Sequence, residues 1–78
     1  MNFPISIMGA GTMGLGIAQL AASQGENVIL FDINQKVLDV AKKKLLNTLN
    51  KLIEKKKIST DDKNDTMNKI HWTTDIKD

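Results

Sequence analysis

Ile5-Ser6-Ile7-Met8-Gly9-Ala10-Gly11-Thr12-Met13-Gly14-Leu15-Gly16-Ile17-Ala18-Gln19 reads as a strand, a glycine turn and a helix. Gly9, Gly11 and Gly14 keep the G-x-G-x-x-G spacing, and each glycine meets a separate steric demand. The first lets the strand turn sharply, the second lets a pyrophosphate approach bare backbone, and the third lets the helix pack closely on its own strand. The helix that opens here aims its free N–H groups and the positive end of its dipole at the turn, where a dinucleotide's phosphates would sit. Three glycines in six residues also occur in plain tight turns. The reading therefore depends on the flanking sequence.

Residues 5–8 are mostly apolar and alternate little, which suits a strand covered on both faces of a parallel sheet. Pro4 can stand at its start without losing a ladder bond. In the following helix Ile17, Leu20 and Ala21 recur at helical spacing, Gly14, Ala18 and Ala22 allow close packing on the sheet, and Gly25 is the stop. Asn27-Val28-Ile29-Leu30-Phe31-Asp32 predicts a second strand, and so short a crossover makes the two strands parallel and right-handed. Asn34 caps a long helix to about Lys56, with Val37, Leu38, Ala41, Leu45, Leu49 and Leu52 on one stripe. Ser59 or Thr60 caps a short third helix that has Asp61 and Asp62 in its first turn. Ile70-His71-Trp72-Thr73 predicts a third strand, and Thr74 and Asp75 a loop or a new helix start. The order β-α-β-α-α-β is the first half of a Rossmann-type α/β domain, with parallel strands in the order 3-2-1 and helices in one or two layers. Strand 1 is then an edge, and an uncovered edge invites dimerisation, swapping or aggregation.

The composition narrows the function. A chain of 78 residues holds one small domain, which buries only about 60% of its unfolded surface. A hydrophobic fraction of 41% and a charged fraction of 26% are ordinary for a globular protein. The absence of cysteine excludes a disulfide framework and a thiolate zinc site and suits a reducing compartment, and no apolar run approaches a membrane span, so the expected location is the cytoplasm. All eleven basic residues are lysine. Without arginine, and with only Phe3, Phe31 and Trp72 as aromatics, neither base-edge readout nor base stacking is favoured, and no nucleic-acid partner is expected.

Asp32 gives the glycine turn its specificity. It lies 21 residues after Gly11 at a strand end, where a carboxylate can accept hydrogen bonds from both hydroxyls of an adenosine ribose. The same carboxylate repels a 2′-phosphate, and no arginine is present to receive one. The expected cofactor is NAD, held by Gly9, Gly11, Thr12, Met13, Gly14 and Asp32. Without a ligand, Asp32 would be only an aspartate at the start of a helix. Lys44, Thr48, Lys51 and Lys55 share a stripe beside the leucine face. Most such stripes are solvated flanks, and from the residues alone that is the reading. His71, the only histidine, reads as a partly buried strand residue, and Trp72 as core or covering surface.

The run from Gly9 to Gln19 resembles the start of the 3-hydroxyacyl-CoA dehydrogenases, particularly the bacterial 3-hydroxybutyryl-CoA branch. Phe31-Asp32-Ile33 is similar to that family's second strand end, Leu49 through Ile58 to its helical insertion, spanning about 34–69 here, and Thr73-Thr74-Asp75-Ile76 to its third strand exit. The resemblance implies NAD-linked interconversion of an (S)-3-hydroxyacyl-CoA, short-chain by its nearest branch, and the 3-ketoacyl-CoA. It also implies that Thr48 and Lys55 contact coenzyme A, with Thr48 replacing the serine often found there. The family's catalytic histidine and glutamate and its dimerisation domain are expected beyond Asp78, so residues 1–78 would be the N-terminal part of the NAD-binding domain, without catalytic residues or activity of their own. His71 does not match the catalytic position, and Trp72 replaces a small residue. The full-length protein would be a homodimer. A related 3-hydroxyacid dehydrogenase would explain the glycines but not the long helix, and a non-catalytic dinucleotide-binding module would need only the glycines and Asp32.

Overall fold

The computed structural model describes residues 4–75 and has the element order β1 (Ile5–Met8), α1 (Thr12–Ser23), β2 (Val28–Phe31), α2 (Gln35–Glu54), α3 (Thr60–Lys69) and β3 (Ile70–Thr73). The three strands form one parallel sheet in the order β1-β2-β3, the adjacency that the Rossmann reading requires. Ile5 is level with Val28 and Val28 with Ile70, so the strand ends at Met8, Phe31 and Thr73 line up on one edge. The ladder continues past the strands: Gly9 N–H donates to the Phe31 carbonyl at 2.7 Å and Asp32 N–H to the Thr73 carbonyl at 3.1 Å. The glycine turn and Asp32 therefore share the carboxyl end of the sheet.

Val28, Leu30 and Ile70 are buried beneath the helices, whereas Ile29 and Phe31 are half-buried and His71 is exposed. Both crossovers run in the same direction across the sheet, so right-handed connections put every helix on one face. The result is two layers. The expectation that β1 is covered on both faces is wrong for this reason: it is an edge strand with one helical layer, and Met8 is 61% exposed. The expected partial burial of His71 fails on the same ground, since it lies on the bare face. Trp72 does pack against the core, half-buried. Ile76, the last residue of the expected strand exit, lies outside the described residues.

On α1 the buried residues are Leu15, Ala18, Ala21 and Ala22, while Ile17 is 50% and Leu20 61% exposed. Of the predicted apolar stripe only Ala21 is buried, whereas Ala18 and Ala22 pack closely as expected. At about 100° per residue, Leu15, Ala18 and Ala22 share an arc with Gly14, and that smooth arc is the one that fits against the sheet. Gly14 marks the closest approach, because a Cβ there would run into the Gly9 carbonyl. Gly25 ends α1 with φ +89°, and Gly25 and Glu26 N–H donate back to Ala22 and Ala21 at 3.0 and 3.1 Å, a Schellman motif.

Helix α2 buries Leu38, Ala41, Leu45 and Leu49, and the Asn34 side chain caps it by accepting from Lys36 N–H at 2.9 Å. It ends at Glu54, slightly before the expected Lys56, in a second Schellman motif: Lys56 and Lys57 N–H donate to Ile53 and Leu52, both at 2.9 Å. Lys56 takes φ 58° to allow this, a left-handed conformation usually given to glycine. Ser59 caps α3 in a reciprocal box, with Asp62 N–H donating to Ser59 Oγ at 3.0 Å and Ser59 N–H to the Asp62 carboxylate at 3.0 Å. The short helix is tied to α2 by Lys63 Nζ donating to Asn50 Oδ1 at 2.8 Å.

Two glycine exchanges should act in opposite directions. Lys56→Gly removes left-handed strain but adds unfolded-state entropy, for a net gain of about 0.5–1 kcal/mol in urea unfolding. Gly14→Ala forces a methyl group against the Gly9 carbonyl and should cost about 1–3 kcal/mol in the same assay.

Candidate functional site

The glycine turn joins β1 to α1 with Gly9 at φ +100°, a region that a side chain rarely adopts. Gly11 is the N-cap of α1 and offers no side-chain cap, and no acidic residue stands in the first turn. The first backbone N–H groups of the helix thus have no partner within it, and no acidic side chain of the helix itself offsets its positive dipole end. A Cβ on Gly11 would meet nothing within 4 Å, so the backbone there faces open space. Bare N–H groups, a positive dipole and free room fit the diphosphate of a dinucleotide. Gly9, Gly11 and Gly14 meet in this turn, and Thr12 and Met13 lie exposed in its first helical residues, with Met13 81% exposed.

Asp32 stands across from the turn, half-buried at the end of β2. One carboxylate oxygen accepts from Ala10 N–H at 3.0 Å, and the other from Asn34 N–H at 2.9 Å. These two bonds, the Ala10 bond first, hold its carboxyl below the ordinary aspartate value, against a smaller opposing effect of desolvation. Each oxygen keeps further acceptor capacity, so the side chain can fix the turn and still receive ribose hydroxyls. The fixing role was not anticipated from the sequence. The spacing signals a carboxylate at the site, whereas the bond to Ala10 depends on the lateral register of β1 and β2.

Two grooves open beside the turn. One, of about 320 Å³, runs from Ala10, Gly11 and Thr12 along Lys36, Val40 and Lys44 of α2. The second, of about 400 Å³, lies between α1 and α2 and is lined by Thr12, Gln19, Lys44, Asn47, Thr48 and Lys51. Lys44, Thr48 and Lys51 of the expected stripe thus meet in one groove. Lys55 is not among its lining residues: it is the exposed C-cap of α2, two turns from Thr48 and on the same side of the helix. Gln19, Asn47 and Lys36 were missed as lining groups, because α1 and α2 must be packed together before these positions converge.

The sequence matches the family model described as 3-hydroxyacyl-CoA dehydrogenase, NAD binding domain, over residues 4–78. It is 44% identical over 72 residues to a probable 3-hydroxybutyryl-CoA dehydrogenase of Deinococcus radiodurans, covering 92% of this chain and 26% of that protein. It is 43% identical over 76 residues to a probable 3-hydroxyacyl-CoA dehydrogenase of Caenorhabditis elegans, again covering 92% of this chain and 26% of the relative. The fold is similar to that of the (S)-3-hydroxybutyryl-CoA dehydrogenase of Ralstonia eutropha, with a TM-score of 0.91 at 35% identity, over 96% of this chain and 26% of that one. The chain therefore spans about a quarter of the length of these proteins. Sequence, strand order and turn geometry agree, and the chain belongs to the family of 3-hydroxyacyl-CoA dehydrogenase NAD-binding domains.

Proposed function

We propose that this chain is the N-terminal part of the NAD-binding domain of an oxidoreductase that interconverts (S)-3-hydroxyacyl-CoA, short-chain such as 3-hydroxybutyryl-CoA, and the 3-ketoacyl-CoA. The observation that carries the reading is the carboxylate of Asp32 fastened to Ala10 of the glycine turn, beside the open N-terminus of α1. Gly9, Gly11, Thr12, Met13 and Gly14 hold the diphosphate, and Asp32 receives the adenosine ribose. NAD, when bound, supplies the hydride acceptor, or in reduced form the donor. The chain's own groups bind and orient: the α1–α2 groove with Thr48, and Lys55 at the end of α2, take the coenzyme A portion of the substrate. Relatives named as acting on hydroxyacyl-CoA support that substrate class. The reading assigns no catalytic residue to residues 1–78.

We further assign the chain to the cytoplasm, consistent with the absence, among the described residues, of a helix long and apolar enough to cross a membrane. The full-length enzyme is a homodimer in this reading. Taken alone, residues 1–78 self-associate through β1. Ile5 and Gly9 N–H donate toward β2, so the intervening Ser6 and Met8 present their backbone groups to the free edge. Beside that edge, α1 exposes Met13, Ile17 and Leu20 on one side.

Isothermal titration with NAD and NADP tests the cofactor site. NAD should bind more tightly, and Asp32→Asn should weaken NAD by about ten- to a hundredfold, the value of a charged hydrogen bond, while narrowing the gap to NADP. Equal binding of the two cofactors by the parent chain would contradict the reading. The depressed carboxyl of Asp32 stabilises the turn above its unfolded value, and that contribution is lost as pH falls below about 4. Acid titration should accordingly loosen the parent chain in this window more than the asparagine variant. Coenzyme A should protect Lys55 from acetylation, and the chain by itself should not reduce acetoacetyl-CoA. Light scattering should show mass rising with concentration, and Met8→Lys at the edge should restore the monomer; a parent chain that stays monomeric would refute the edge contact.

A further inference from the structure

Lys44 belongs to two grooves at once. The groove at the glycine turn and the groove between α1 and α2 share Thr12, Leu15 and Lys44 as a common wall. Leu15 is buried and Thr12 is neutral, so among the described residues the exposed Lys44 supplies the only charge on that wall. Among the described residues no carboxylate lines either groove. The neighbouring lysines divide between them: Lys36 lines only the groove at the turn, and Lys51 only the groove at Thr48. Steps of eight and seven residues separate the three, about two helical turns each, so they form a row down one flank of α2. Lys42 and Lys43 line neither groove, which sets the row apart from a general lysine coat.

We propose that Lys44 is a cation shared by two phosphate-bearing ligands, the dinucleotide at the glycine turn and coenzyme A in the adjoining groove. The inference rests on the NAD and coenzyme A reading above and deepens it. Filling both grooves puts two phosphate-bearing ligands on either side of one wall, where like charges repel. A cation in the dividing wall attracts each ligand and offsets part of the charge that the other meets. Lysine suits this place. Its ammonium is a point charge on a flexible four-carbon stem, with three donors that can be directed to either side, whereas arginine's planar fork favours one partner.

The test is titration of the 78-residue chain with NAD and with coenzyme A, separately and at low ionic strength, in the parent and in Lys36→Gln, Lys43→Gln, Lys44→Gln and Lys51→Gln. Circular dichroism confirms that each exposed substitution leaves the fold in place. Lys44→Gln should weaken both ligands by about two- to fivefold, the range of an exposed charge pair. Lys36→Gln should weaken NAD alone, Lys51→Gln coenzyme A alone, and Lys43→Gln neither. Lys44→Arg should keep both affinities within about twofold of the parent, since the charge remains. A Lys44→Gln chain that loses affinity for only one ligand, or for neither, overturns the shared role. So does a Lys43→Gln chain that weakens both ligands equally, because net charge would then explain the effect. If the parent binds NAD but not coenzyme A, the substrate reading of the α1–α2 groove fails and the shared role fails with it. If the parent binds both while Lys44→Gln is silent, only the shared role is lost.

Discussion

The hydrogen bond from Ala10 N–H to the Asp32 carboxylate, at 3.0 Å, is the constraint on which the site depends. It crosses from the end of β1 to the end of β2 and closes the ladder begun by Ile5 and continued by Gly9. With Gly9 at φ +100° the chain must leave the sheet and enter α1 within a few residues, and a turn so short has little apolar area to hold it. A charge-assisted bond donated by Ala10 N–H to a half-buried carboxylate compensates for that lack. Because Asn34 N–H also donates to Asp32, the same side chain anchors the start of α2. One residue thereby ties together the starts of the two helices whose near flanks form the grooves.

The close approach of α1 to the sheet is possible because the helix is nearly featureless on its inner side. Leu15, Ala18, Ala21 and Ala22 bury against the sheet and its neighbours, and Gly14 lets the helix approach the Gly9 carbonyl as backbone against backbone. Small residues give little burial each, so the larger part of the core comes from Leu30, Val28, Leu45, Leu38 and Leu49, contributed by β2 and α2. The division has a functional result. Helix α1 contributes close approach and bare N–H groups, whereas α2 contributes mass and the cationic flank.

The elements were legible in the sequence because each carries a local signal. Gly25 and Asn34 mark helix ends through conformations or bonds that few other residues supply, and Ser59 with Asp62 writes the capping box of α3 directly. Strand order followed from the β-α-β-α-α-β succession read as half of a Rossmann domain. Burial was read less well. Ile17 and Leu20 look like core residues by type, yet the alanine arc won, since shape at the sheet governs which side of α1 packs. Apolar β1 looked doubly covered because a sequence pattern cannot show that both crossovers return on the same face. Of the site, the glycines and Asp32 were legible as types at a spacing. The clustering of Lys44, Thr48 and Lys51 with Gln19 and Asn47 was not, because it arises only when two helices far apart in sequence are set side by side.

The parallel sheet explains why the polar groups of the site gather at one edge. In a parallel sheet every strand ends in the same direction, so Gly9, Asp32 and Thr73 arrive together whatever covers the faces. Helix α2, 20 residues long, exceeds the 12-residue α1, and its buried stripe from Leu38 to Leu49 must pack along the shorter helix and then beyond it to α3. Residues on the near flank of that stripe, Lys44, Thr48 and Lys51, consequently face a gap beside α1 that neither helix fills. Lysines border such a gap at small cost, since their stems cover apolar surface while the ammonium stays solvated. The groove thus runs between Thr12–Gln19 of α1 and Lys44–Lys51 of α2, with its lysines on the α2 side, next to the turn that Asp32 holds in place.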